Sequence, residues 1–223
     1  MFRQRQKIFG SCFNMFYPEA LTAESIALIK KINASKWLSD FYLAGGTGLA
    51  LWYGHRQSVD LDFFRKSDIA TKQLIKKLSS LGRFKLLNEE ENTVEGILEK
   101  VKVSFMTYPY GLLRKRQPYD GVIFLAEPLD IAVMKVGAIA DRNTKKDFID
   151  LYVFLRRENM SLKNLLSHLR KKFSRVNYDI FHLYKSLVYF EDADKEPMPR
   201  MFIDLKWEKV RRFFKDEVRK LVA

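Results

Sequence analysis

Asp60 and Asp62 stand two residues apart in Ser58-Val59-Asp60-Leu61-Asp62-Phe63-Phe64, a run in which polar and apolar side chains alternate. Such alternation marks a strand, along which every second side chain shares a face. Ser58, Asp60 and Asp62 are therefore expected on one face, with Val59, Leu61 and Phe63 turned to a core. Carboxylates about 6–7 Å apart along a strand can aim at a shared cation site. Oxygen-only ligands suit Mg2+, with Mn2+ as a substitute, because such an ion keeps waters and takes substrate phosphates as further ligands. Two ions about 4 Å apart can activate an attacking hydroxyl and stabilise a leaving pyrophosphate.

Upstream, Gly45-Gly46-Thr47 follows the apolar run Phe41–Ala44 and opens a short helical pattern closed by Gly54. Glycines let a ligand approach the backbone, and the N–H groups of a helix start favour a phosphate. A dinucleotide fingerprint is excluded, because Leu51 stands where its third glycine or alanine belongs. No Gly-Lys-Ser/Thr follows, so a P-loop is excluded too. Alone, an Asp-X-Asp strand is commonly a solvated face and Gly-Gly a turn. Their order, strand, Gly-Gly-Thr, short helix, strand with Ser-X-Asp-X-Asp, is far more specific. Later in the chain Asp147 and Asp150 lie three apart on an expected helix and share its face. Lys135 sits among Ile131, Val133, Met134 and Ile139, where composition alone makes it a surface lysine; Arg142 and Lys145 read as solvated helix-end charges.

The elements that must position these groups follow from periodicity and caps. A helix is expected from Thr22, its N-cap, to about Leu38, and another over Ser67 or Asp68 to Leu81. Arg83–Leu87, Thr93–Leu98 and Val101–Met106 read as a meander turning at Asn88–Asn92, and Val122–Leu125 as a further short strand. Pro128 opens a helix through Ala140; Asn143 or Thr144 caps one to about Arg157; the rest reads as helical and basic. The order implies a mixed α/β or α+β core with a helical C-terminal part.

The 223 residues carry 40 Lys+Arg against 27 Asp+Glu, a net charge of +13. That excess fits a polyanionic partner, nucleic acid or nucleotide, and says nothing of fold. The single cysteine, Cys12, excludes an internal disulfide and a thiolate zinc site. No run reaches the roughly 18 apolar residues of a membrane span. Arg3, Arg5 and Lys7 precede a short apolar patch, but no cleavage site follows, so the expectation is a soluble cytoplasmic protein.

Two blocks carry a family resemblance. Gly45–Phe64 (GGTGLALWYGHRQSVDLDFF) and Glu127–Leu155 (EPLDIAVMKVGAIADRNTKKDFIDLYVFL) resemble the glycine loop, Asp-X-Asp strand, lysine helix and following Arg-x-x-x-Lys-Asp-Phe-x-Asp-Leu helix of AbiEii/AbiGii-type toxin nucleotidyltransferases. These are members of the DNA polymerase β-like superfamily, and the likeness spans roughly residues 40–160. It implies a polymerase β-like core with a small mixed sheet, and transfer of a nucleotide from an NTP to an acceptor, with tRNA or another RNA favoured. It also implies a toxin role beside a cognate antitoxin. Asp60 and Asp62 would hold the metal; Gly45, Gly46, Thr47 and Ser58 would line the triphosphate. Lys135 would contact phosphates, and Asp147 or Asp150 would complete the catalytic set.

One position departs from the superfamily. Val101, Val103 and Phe105 form the apolar face of the third core strand, and Ser104 stands about where that fold places a third carboxylate. Asp147 or Asp150 would then substitute, or the chain is a weakly active or inactive member that binds RNA or a protein. Residues 1–158 are assigned to the nucleotidyltransferase-like domain and 159–223 to a basic helical region. Around and within the latter, Arg156, Arg157, Lys163, Arg170, Lys171, Lys172 and Arg175 lead into Tyr178, Phe181, Tyr184, Tyr189 and Phe190. This interleaving reads either as a helical core with a solvated face or as an RNA-tracking surface.

Overall fold

Alternation in Leu61–Arg65 sends Leu61 and Phe63 into one core, 0% and 1% exposed, and leaves Asp62 and Phe64 on the opposite face of the sheet. In the computed structural model, which describes residues 16–174, 176 and 179–222, this strand is central. Arg3, Arg5, Lys7, Cys12, Arg175 and Tyr178 lie outside the described residues.

After a short 3-10 turn, the chain runs α1 (Ala23–Ala34), β1 (Tyr42–Leu43), α2 (Gly45–Tyr53), β2 (Leu61–Arg65), α3 (Thr71–Leu81), β3 (Phe84–Glu90), β4 (Thr93–Leu98) and β5 (Val101–Thr107). It continues through β6 (Gln117–Asp120), β7 (Ile123–Leu125), α4 (Pro128–Arg142), α5 (Lys145–Arg157), α6 (Leu162–Lys172), α7 (Ile180–Ser186), α8 (Glu191–Lys195) and α9 (Trp207–Val222). The strands form one mixed sheet in the order β3-β4-β5-β2-β1-β7-β6. β2 pairs antiparallel with β1 and parallel with β5, β1 is parallel to β7, and the outer pairs are antiparallel.

Each face of the sheet has its own core. Leu43, Leu61, Phe63, Val103 and Phe105 pack with α1 and α3 on one side. On the other, α4 and α5 cover Tyr42 and Phe64 and share a second apolar cluster with α6 to α9. In α9, Trp207, Val210, Phe214 and Val218 recur every three or four residues and are buried, so the basic residues between them take the outer face. Burying a large side chain of this kind contributes roughly 1.5–3 kcal/mol. None of the described helices is long and apolar enough to cross a membrane.

Several boundaries differ from those expected. Ser58–Asp60 precedes β2 rather than opening it, and Val59 is 54% exposed instead of buried. There the backbone leaves the sheet: Ser58 bridges to Leu21, and Arg56 to Met201. α1 stops at Ala34, four residues before Leu38. α3 starts only at Thr71, and neither Ser67 nor Asp68 caps it; the Asn92 side chain instead accepts from the Ile69 N–H at 2.7 Å. β3 continues through Glu90, into the stretch read as a turn. The strand β6 carries no alternating pattern, and its Pro118 is tolerated because β6 lies at the sheet edge. Thr144 caps α5, whereas Asn143 takes the left-handed conformation that closes α4.

Candidate active site

The glycine turn and the Asp-X-Asp strand meet directly. Gly45 begins α2 at φ +61°, and a Cβ placed there would lie 2.6 Å from Asp62 Oδ2. Only glycine accepts both the backbone angle and that approach. The N-cap residue Ala44 offers no side-chain cap, so among the described residues no side chain caps the first N–H groups of α2. A side chain on Gly46 would strike the Arg56 guanidinium. Among the described residues, neither the Asp60 nor the Asp62 carboxylate accepts a protein hydrogen bond or joins an ion pair.

Behind these two acids lies a buried network of charges. Asp150, 0% exposed, accepts from Arg56 Nε at 2.7 Å, Arg56 Nη2 at 2.8 Å and His55 Nε2 at 2.8 Å, and pairs with Lys135 Nζ at 2.7 Å. Asp147, also 0% exposed, accepts from Lys135 Nζ at 2.6 Å, Arg142 Nε at 2.8 Å, Arg142 Nη2 at 3.1 Å and the Thr144 hydroxyl at 2.7 Å. The three-residue spacing on α5 turns both acids toward α4, where Lys135 joins them. Arg56 is brought in by the loop after α2, which pairs with the C-terminal segment: Gln57 N–H donates to the Arg200 carbonyl and Phe202 N–H to that of His55, each at 2.9 Å.

Burial would raise the carboxyls of Asp150 and Asp147 and lower the ammonium of Lys135, but mutual attraction wins for all three. Arg56, Lys135 and His55 hold Asp150 well below the ordinary aspartate value, and Lys135 and Arg142 hold Asp147 down to about 2. Asp150 and Asp147 in turn raise Lys135. Desolvation lowers His55 despite its bond to Asp150, so the ring is neutral at pH 7. Asp62 moves the other way: burial raises it, Lys135 opposes that rise, and Asp60 adds to it.

The depressed Asp147 has a consequence in acid. Its folded value, about 2 against an ordinary 3.8, means its contribution is complete above the unfolded value and is lost as pH falls through the folded one. Stability should therefore fall by about 2 kcal/mol between pH ~5 and pH ~2 from this group alone. Urea titrations of wild type and Asp147→Asn across that range test it; parallel pH dependence of the two proteins would refute the assignment.

The sequence-derived candidates thus fall into two sets. Gly45, Gly46, Asp60 and Asp62 lie together at the start of α2, each partly exposed. Lys135, Asp147 and Asp150 are brought together beneath it, with Lys135 only 3% exposed and not a surface lysine. Both oxygens of Asp147 and of Asp150 already accept from cations, which sets these two acids apart from Asp60 and Asp62. Thr47 and Ser58 turn inward: their hydroxyls share a 2.8 Å hydrogen bond, and Thr47 donates to the Asp60 carbonyl, so both fix the acidic loop. Ser104 lies beside Asp62 in register, with Glu95 next across the sheet. Among the described residues no three His, Cys, Asp or Glu side chains gather to hold a metal.

Sequence reasoning missed His55 and Arg56 and took Arg142 for a solvated charge. Their adjacency in Tyr-Gly-His-Arg-Gln, between glycine turn and acidic strand, was the one available signal. Lys145, too, is buried, its ammonium donating to the Glu196 carbonyl and lying over the Trp207 ring. Lys172 is likewise no surface charge: its side chain is 1% exposed and pairs with Asp130 at 2.7 Å. Asp130 also accepts from the N–H groups of Leu113 and Arg114, tying α6 to α4 and the 108–116 segment.

The family model described as the nucleotidyl transferase AbiEii toxin of type IV toxin–antitoxin systems matches residues 27–221. An uncharacterized protein of Aquifex aeolicus (strain VF5) is 37% identical over 204 residues, which cover 89% of this chain and 96% of that protein. Among solved structures, JHP933 from Helicobacter pylori is similar in fold, with a TM-score of 0.54 at 20% identity over 90% of this chain and 93% of that one. An acidic strand against a glycine turn, in a chain matched almost end to end, places the protein in the AbiEii nucleotidyltransferase toxin family.

Proposed function

We propose that this nucleotidyltransferase uses Mg2+, with Mn2+ as a substitute, to move a nucleotide from an NTP onto an RNA end, tRNA foremost. It would do so as the toxin of a toxin–antitoxin pair whose antitoxin is a separate protein. The observation that carries the reading is the pair of carboxylates, Asp60 and Asp62, unpartnered among the described residues and set against a helix start that no described side chain caps. Two oxygen donors fit an ion that completes its shell with water and phosphate. When bound, the metal supplies Lewis acidity at the phosphoryl oxygens.

The chain's own residues do the rest. Gly45 and Gly46 let the triphosphate approach the α2 N–H groups. Arg142, whose side chain is 56% exposed, offers its charge to phosphate while Asp147 holds its orientation. Lys135 has two of its three N–H donors on Asp147 and Asp150, which leaves one and keeps a positive potential beside Asp62. Asp147 and Asp150 are positioning residues for these cations. In the transfer itself the acceptor hydroxyl oxygen bonds to the α-phosphorus as the bond to pyrophosphate breaks, its proton passing to solvent, and most of the rate comes from positioning and charge neutralisation. The same reading includes a division into residues 1–158 and a basic helical part, 159–223, and a cytoplasmic site of action.

Incubation with each labelled NTP, Mg2+, total tRNA and total protein tests the proposal, with label expected in tRNA and abolished by EDTA. Label in protein alone would replace RNA by a hydroxyl-bearing protein acceptor. Ser104, in the register position beside Asp62, favours the second reading, a fold member that binds RNA or protein without transfer. No label in any acceptor would select it.

The acceptor surface gives a separate prediction. Lys163, Arg170 and Lys171 are exposed on α6, whereas the Lys172 side chain is buried, so charge reversal belongs at the first set. Arg170→Glu with Lys171→Glu should weaken tRNA binding and flatten its salt dependence, by roughly 0.7–0.9 log units for each phosphate no longer neutralised, with NTP binding unchanged. Salt-independent binding of tRNA would argue against a charge-tracking surface.

A further inference from the structure

Arg142 has a second environment. Besides bonding Asp147, it lines a cavity of about 590 Å3 between the end of α4 and the segment from α7 to α8. The wall includes Asn143, His182, Lys185, Tyr189 and Asp192. This is a volume typical of small-molecule sites and large enough for a nucleoside. Neither the glycine turn nor the acidic pair lines it.

The chemistry of the wall is specific. Tyr189 is 42% exposed and presents an aromatic ring, the surface on which a nucleobase stacks. Asn143 joins the two sides of the wall, its Nδ2 donating to the Ser186 carbonyl at 3.1 Å. The charges of the wall balance, Arg142 and Lys185 against Asp141 and Asp192, so the cavity favours the neutral part of a nucleotide over a phosphodiester chain. Arg142 bonds Asp147, which also accepts from Lys135, so this wall is joined to the buried network behind the acidic pair.

We infer that this cavity receives the nucleoside moiety of the NTP, the base against Tyr189, with the triphosphate passing Arg142 towards Asp60 and Asp62. The inference rests on the nucleotidyltransferase reading and assigns choice among NTPs to Tyr189 and Asp192.

Equilibrium titration of the full chain with each of the four NTPs and with inorganic tripolyphosphate, in Mg2+ and without acceptor, tests it. Tyr189→Ala should weaken the preferred NTP about 5-fold to 100-fold, leave tripolyphosphate unchanged, and be rescued by Tyr189→Phe. Asp192→Asn should alter the ranking of the NTPs. NTP binding by wild type that Tyr189→Ala leaves intact overturns the cavity assignment while sparing the proposed function. So does an equal weakening of NTP and tripolyphosphate, or a defect confined to tRNA binding, which would make the cavity a seat for the acceptor end. Failure of wild type to bind any NTP overturns the proposed function and the inference together.

Discussion

Asp60→Ala and Asp62→Ala are each expected to lower nucleotide transfer by at least about 1,000-fold, since losing a metal ligand removes several kcal/mol of transition-state stabilisation. The same substitutions should leave thermal stability unchanged or slightly higher. Neither carboxylate holds a partner among the described residues, and burial already disfavours the charge on Asp62. Removing it strands nothing. Labelled-NTP transfer and a thermal melt on each variant supply the two readings. Retained labelling by both variants would sink the catalytic role of the pair.

Asp150→Ala, one helix away, should behave in the opposite way. His55, Arg56 and Lys135 all converge on this fully buried carboxylate. Its removal leaves Arg56 and Lys135 as buried cations short of counter-charge, a change that costs about 3–5 kcal/mol. Unfolding in urea should shift to a lower midpoint at unchanged slope. Any fall in transfer should follow from displaced Lys135 and Arg56 and not from a missing metal ligand. A stability change under about 1 kcal/mol would show that the network relaxes or takes in water, and would return Asp150 to the groups open to substrate. The two experiments together separate carboxylates that act on ligand from carboxylates that hold the frame.

How a charged residue is used here depends on distance along the chain. The acidic strand, the glycine turn, the capped α1 and α5, and the stripe of α9 were legible because each is a local regularity, an alternation, a cap or a period of three to four residues. Asp147 and Asp150 sharing a face was legible for the same reason. The partners of those acids were not. Arg56 reaches Asp150 across 94 positions and Lys172 reaches Asp130 across 42. A cation can leave water only where such a partner awaits it, and nothing beside Lys135, Arg56 or Lys172 in the sequence announces one. Thr47 and Ser58 were placed on the correct segment but turned inward, because the chain leaves the sheet before Asp60 and its carbonyl needed a donor. Residue order alone was enough to say which side chains could do chemistry and on which elements they sit. Which of the four aspartates stayed free for a ligand was settled by folding, since that depends on where every buried cation came to rest.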